Sequence, residues 1–184
     1  MAEPTDSELI ADALAGRSQA FSALLDRHYM TIYRIAFKWS GNREDAEDIA
    51  QEVCVKLASI LSSFDGRSAF TSWLYSVTLN AVRDHQRRNK RCQAKADAYS
   101  MVVENAAPAD QEMATTLGQM WQAVKDLPAR QRDAVLLTSA ENLTHGEAAL
   151  VMGCKESTVS WYLHEARKAL KDLLGDGAGA HGDG

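Results

Sequence analysis

Residues 41–64 read GNREDAEDIAQEVCVKLASILSSF, and two patterns are superimposed in them. Ala46, Ile49, Ala50, Val53, Leu57, Ile60 and Leu61 recur at the three-and-four spacing of one helical face. A half-buried strand would alternate with period two, so the segment is a helix that buries one side. On another side Asp45, Asp48 and Glu52 fall three and four apart, which makes a carboxylate stripe along the helix. Glu44, Asp45, Glu47 and Asp48 sit at its start, where the positive end of the helix dipole favours them. The stripe therefore has two readings: a solvated face matched to the dipole, or a seat for a partner's arginines.

The continuation, FDGRSAFTSWLYSVTLNAVRDHQRRNKR at 64–91, opens with a turn at Asp65-Gly66 and resumes helical spacing through Phe70, Leu74, Val77 and Ala81. From Arg83 to Lys95 six basic residues stand against one acid, Asp84, the balance expected of a phosphate-binding end. Phe70, Trp73 and Tyr75 lie just upstream. Aromatics beside a basic strip suit single-stranded bases, since every base has a face to stack on. Packing of Phe70 and Trp73 into the core is the competing reading.

Working outward, Asp6 or Ser7 can cap a first helix with Leu9, Ile10, Ala13 and Leu14, ended by Gly16. Ser18 opens a second, carrying Phe21, Leu24, Leu25, His28, Ile32, Ile35 and Ala36 as far as Trp39. His28, with no second ligand at metal spacing, reads as a histidine at the edge of a core. Helices over Asn42–Ser62 and from about Ser68 to Arg88 complete a domain over residues 1–93. Residues 94–115 are acidic and contain AAPAD, which reads as a flexible linker. A second domain follows over 116–175: a helix from Gly118 to Leu127 stopped by Pro128, another over Ala129–Glu141, then a short helix with Thr144 and Glu147 as a capping box. Gly153 supplies a turn, and a long helix from Glu156 to Leu174 turns Val159, Leu163, Ala166, Leu170 and Leu173 inward. Short helix, glycine turn, long helix is a helix-turn-helix. The glycine-rich residues 176–184 read as a disordered tail. The fold class is thus all-α, two small helical domains joined by a linker.

Composition narrows the function. With 184 residues, 46% hydrophobic and 24% charged, the chain has room for one ordinary domain or two small ones. No stretch reaches the ~20 apolar residues of a membrane span and the N-terminus lacks a signal region, so no membrane insertion and a cytoplasmic location are expected. Cys54, Cys92 and Cys154 are odd in number and far apart, so neither disulfides nor zinc are indicated; Cys54 and Cys154 are expected in cores. Neither a metal nor another cofactor is expected. A net charge of −5 implies weak non-specific DNA affinity for the free protein, because counterion release scales with the phosphates neutralised.

GNREDAEDIAQEVCVKL followed by FDGRSAFTSWLYSVTLNAVRDHQRR resembles region 2 of the extracytoplasmic-function sigma factors of bacterial RNA polymerase. LPARQRDAVLLTSAENLTHGEAALVMGCKESTVSWYLHEARKALKDLL resembles their region 4. By that resemblance Asp45, Asp48, Gln51 and Glu52 dock on the basic coiled coil of the polymerase β′ subunit. Phe70, Trp73, Asn80, Arg83, Asp84, Arg87 and Arg88 would face the minus-10 element, with the turn from Asp65 to Phe70 as a pocket for a flipped base. The N-terminal half of the last helix would enter the major groove of the minus-35 element, offering Lys155, Ser157, Thr158, Ser160, Trp161, His164 and Arg167. The resemblance also implies core polymerase (β′ and β), promoter DNA and an anti-sigma factor as partners.

The match departs from the family pattern in that last helix. Ser160, Trp161 and Tyr162 stand where relatives usually carry Lys, Ser and Arg; Glu165 stands for Arg, and Lys155 for the usual capping Ser. Fewer guanidinium groups mean fewer bidentate guanine contacts. That leaves a second reading open, a sigma-factor mimic that captures an anti-sigma protein and binds no DNA. An enzyme is the remotest reading, for no phosphate loop, nucleophile elbow or His/Cys ligand spacing accompanies the acidic cluster at 44–52.

Overall fold

The computed structural model describes residues 3–99 and 116–175, and every regular element among them is helical. The chain divides into two compact units, Met1–Val103 and Glu104–Gly184.

In the first unit α1 (Asp6–Leu14), α2 (Ser18–Ser40), α3 (Arg43–Ile60) and α4 (Phe70–Tyr99) pack with α2 in the middle, against each of the other three. The cap of α1 lies one residue before the expected Asp6: Glu8 N–H donates to Thr5 Oγ1 at 3.3 Å, and Thr5 N–H donates to Glu8 Oε2 at 2.7 Å. This frees the Asp6 side chain for the contacts described below. Between α2 and α3 Gly41 takes the left-handed conformation at φ 74°, and Asn42 Oδ1 then accepts from Asp45 N–H at 3.1 Å to start α3. Leu24, Ile32 and Ile35 of α2 meet Ile49 and Val53 of α3 and Leu74, Leu79 and Val82 of α4 in a fully buried seam. Val77, expected in that seam, is half-buried, and Thr78 takes the inner position instead. Its hydroxyl donates to the Leu74 carbonyl at 2.8 Å, which makes a polar residue tolerable there. Helix α4 runs to Tyr99, so the expected linker at 94–115 begins inside a helix, and from 100 onward it lies outside the described residues.

In the second unit α5 (Thr116–Asp126), α6 (Ala129–Val135) and α7 (His145–Met152) all pack on α8 (Glu156–Gly175). The single helix expected over Ala129–Glu141 changes character midway, since Leu136–Ala140 forms a π-helical turn. Glu141 N–H donates to the Leu136 carbonyl at 3.1 Å, a wider ring than the α-helical one, and Asn142 follows with φ 55°. Thr144 and Glu147 form the expected capping box, and Gly153 takes the left-handed turn at φ 63°. Val159, Leu163 and Ala166 of α8 are buried as expected; Leu170 is half-buried and Leu173 is exposed. Cys54 and Cys154 are half-buried rather than fully packed, and Cys92 is exposed. Residues 176–184, the expected tail, lie outside the described residues. No described helix is long and apolar enough to cross a membrane.

Candidate functional site

The carboxylate stripe of α3 divides into two edges. A helix turns about 100° per residue. Asp45 and Glu52, seven apart, therefore share an edge, while Asp48 and Gln51 rotate progressively away from it. The shared edge faces α4. His85 Nε2 lies 2.8 Å from Asp45 Oδ1, with both side chains mostly covered. Two turns further along α3, the Arg88 guanidinium grips Glu52 with two bonds, Nη1 to Oε1 at 3.1 Å and Nη2 to Oε2 at 2.5 Å. The hydrogen bond from Arg88 holds the Glu52 carboxyl below its ordinary pKa, and the same bond raises that of Arg88. Asp48 and Gln51 are exposed.

The expected minus-10 residues fall into two groups. Asn80, Asp84, Arg87 and Arg88 are exposed along one side of α4, with Arg83 half-buried beside them. Arg83 Nη1 donates to Asn80 Oδ1 at 3.2 Å and Arg87 Nη1 to Asp84 Oδ1 at 3.2 Å. Each arginine is thus held along the helix by a neighbour one turn away. The aromatics form the other group. Phe70 is only 6% exposed and sits edge-on to Phe64, its ring centre 5.4 Å away, and to His28 at 5.1 Å. Trp73 is half-buried, 5.5 Å from Phe64 and 5.6 Å from Phe70. Next to them the turn at Asp65 to Phe70 is closed by Arg67, whose N–H donates to Asp65 Oδ1 at 3.0 Å, with Gly66 at φ 71°. The Arg67 guanidinium, which also donates to Asp65 Oδ2, holds the Asp65 carboxyl below its ordinary pKa together with that N–H.

His28 is buried, as expected of a core-edge histidine, and its partner comes from α1: Asp6 Oδ2 lies 2.9 Å from Nε2. Arg27 Nη1 donates to the other oxygen of Asp6 at 2.7 Å. Burial pushes the Asp6 carboxyl up, but these two hydrogen bonds outweigh it and leave the pKa below the ordinary value. The aromatic cluster is therefore braced from α1 through Asp6 and His28.

Of the expected minus-35 residues Lys155 precedes α8, Ser157, Trp161 and His164 lie opposite its buried seam, and Thr158, Ser160 and Arg167 flank that seam. Lys155, Ser157, Ser160, Trp161, His164 and Arg167 are exposed and Thr158 is half-buried. His145 at the start of α7 reaches across, its Nδ1 3.1 Å from Ser160 Oγ, and Ser160 Oγ also donates back to the Glu156 carbonyl at 3.3 Å. Trp161 leans on Tyr162, ring centres 5.2 Å apart at 57°.

Sequence reasoning missed His85, His145, Phe64 and Asp6. His85, His145 and Asp6 act through contacts with residues 40, 15 and 22 positions away, whereas Phe64 carried a local signal, an aromatic side chain six residues before the start of α4. Among the described residues no group of three or more His, Cys, Asp or Glu side chains is arranged to hold a metal.

Residues 24–92 match the family model for sigma-70 region 2, and residues 117–170 that for sigma-70 region 4. The ECF RNA polymerase sigma factor SigE of Mycolicibacterium smegmatis is 32% identical over 178 residues, 94% of this chain and 68% of that protein. The ECF RNA polymerase sigma factor SigM of Mycobacterium tuberculosis is 31% identical over 174 residues, covering 94% and 86%. Among solved structures, the sigma factor RpoE of Bartonella quintana in complex with the anti-sigma factor NepR superimposes with a TM-score of 0.65 at 25% identity, over 84% of this chain and 96% of that one. CnrH in complex with the cytosolic domain of CnrY gives 0.67 at 25% identity, over 93% and 97%.

Proposed function

Because this chain belongs to the extracytoplasmic-function sigma factors of the sigma-70 family, we propose that it directs core RNA polymerase in the cytoplasm to a particular set of promoters. In this reading the exposed edge of α3, Asp48 and Gln51, docks on a basic surface of the polymerase β′ subunit, with Asp45 and Glu52 behind it. The second unit contacts the β subunit while α8 enters the major groove of the minus-35 element. The polar side of α4, from Asn80 to Arg88, tracks the minus-10 strand. Trp73 and the turn at Asp65 to Phe70 receive an unstacked base, with Phe70 as the buried backing of that platform rather than its surface. Unstacking costs a few kcal/mol per step, which stacking and base-edge hydrogen bonds must offset. The polymerase performs the chemistry, so the chain needs no catalytic group.

The observation that carries the reading is the exposed row Asn80, Asp84, Arg87 and Arg88 beside a half-buried tryptophan. Aromatic and guanidinium groups on one surface are what unstacked bases and their phosphates need. The anti-sigma factor NepR bound to the solved RpoE supports a partner of that kind here too.

Run-off transcription from a genomic promoter library with purified core polymerase tests the reading. Promoter-specific transcripts are expected with the wild-type chain, and their loss with Asp48→Lys, which reverses a charge on an exposed position and disturbs no core packing. One feature favours the mimic as a second reading: Arg167 is the first arginine of α8, and Glu156 and Glu165 accompany it. Absence of any transcript, with an anti-sigma protein still captured, would establish the mimic.

A further inference from the structure

The outer face of α8 is centred on an aromatic ring, not on a guanidinium. At 100° per residue Ser157, Trp161, His164 and Lys168 fall within about 60° of one another, with Trp161 at one edge of that arc and midway along its length. All four are exposed, and Trp161, at 56%, is the most exposed aromatic side chain among the described residues. The ring is not loosely placed, since Tyr162 supports it from the side and Ser160, its other neighbour, is tied to His145 and to the Glu156 carbonyl. Lys155 stands at one end of the face and Arg167 and Lys168 at the other. Positive charge at both ends with an apolar centre fits a helix whose ends meet phosphates and whose middle meets base edges.

An indole in that position has one N–H donor and no acceptor, so it cannot make the paired hydrogen bonds by which arginine reads guanine. What it offers the groove is apolar surface. The C5 methyl of thymine is the apolar feature of the major groove, and cytosine and the purines lack it. Building on the minus-35 reading above, we infer that Trp161 is a specificity-determining residue that selects thymine at the centre of the upstream promoter element by packing against its methyl group.

The test uses holoenzyme reconstituted from core polymerase and the full chain. The upstream segment of the strongest promoter from the run-off library is randomised, and the templates that support initiation are sequenced. One or two thymines are expected at fixed positions. Replacing them by deoxyuridine removes the methyl and leaves base pairing unchanged. Wild-type initiation should then fall about fourfold per methyl, the factor expected for exposing one methyl-sized group. Trp161→Ala should initiate equally from both templates, while Trp161→Phe retains part of the sensitivity. Thermal melting of the variants, expected to match wild type at so exposed a position, excludes misfolding.

If the wild-type holoenzyme selects an upstream sequence but is indifferent to deoxyuridine, the methyl contact is refuted and minus-35 recognition stands. If Trp161→Ala keeps both the sequence preference and the methyl sensitivity, Trp161 is not the reader, and its exposure belongs to a protein-binding face. If randomising the upstream segment has no effect on initiation, the minus-35 reading itself fails and this inference with it.

Discussion

Asp6 ties the shortest helix of the first unit to the aromatic cluster, and its two oxygens are divided between Arg27 and His28. Removing that carboxylate leaves a buried imidazole without its partner, so Asp6→Ala should destabilise the first unit by about 1–2 kcal/mol, measurable as a lower urea midpoint. Ile35 is wholly enclosed, and Ile35→Ala should cost about 2–4 kcal/mol in the same assay through lost contacts and a residual cavity. Individual residues differed in how far the sequence revealed them. Ile35 was legible because it repeats at helical spacing with Leu24 and Ile32. Thr78 was not, because its burial depends on a bond from its hydroxyl to the carbonyl one turn earlier, which hydrophobicity does not register. Asp6 and Ser7 both read as caps from residue type alone, yet Thr5 with Glu8 completes a reciprocal box and outcompetes them.

At the level of elements, what was legible is what is local. The Thr144 and Glu147 box could be read from a spacing of three, and Thr144→Ala should lower the melting stability of the second unit by about 1 kcal/mol. The clasp between α3 and α4 could not, because its two pairs join residues 40 and 36 positions apart and depend on the crossing of the helices. That clasp has a functional cost. Arg88 cannot use the same guanidinium edge for Glu52 and for a phosphate, so in the reading proposed above the acidic stripe holds part of the basic strip of α4 in check. Glu52→Gln should therefore strengthen binding of the free protein to single-stranded promoter DNA, by up to about fivefold for a pair this exposed, in fluorescence anisotropy at low salt. The gain should shrink as salt rises, because salt screens the pair being removed. The π-helical turn at Leu136–Ala140 was equally hidden: its apolar spacing is compatible with an ordinary helix, and only the ring closed by Glu141 N–H distinguishes them.

For the whole molecule the balance of charge matters more than any one pair. A chain of net charge −5 pays repulsion on approaching DNA, so the free protein should give no gel shift of promoter DNA at nanomolar concentration in physiological salt, whereas the holoenzyme should. Acid stability follows from carboxylates in both units. Asp6, Glu8, Glu52, Asp65 and Glu147 all titrate below their ordinary values. A lowered carboxyl binds its proton in the unfolded chain first, so stability rises with pH through that range. The contribution is complete above about pH 5 and is lost as pH falls through and below about 4, where the melting temperature should drop most steeply. The division into two helical units was legible from periodicity and glycine turns, but the reach of α4 was not, since nothing in its composition marks Tyr99 as an end. That reach has a consequence in time rather than in space. Among the described side chains of α4 the last buried one is Val82; the clasp residues His85 and Arg88 follow, and the side chains from Asn89 to Ala94 are exposed. Backbone amides from Asn89 to Ala94 lie among exposed side chains, so they should exchange with deuterium orders of magnitude faster than those near Leu79. Slowing of that exchange on binding would clock the arrival of a partner at the basic end, amide by amide, before any transcript is made.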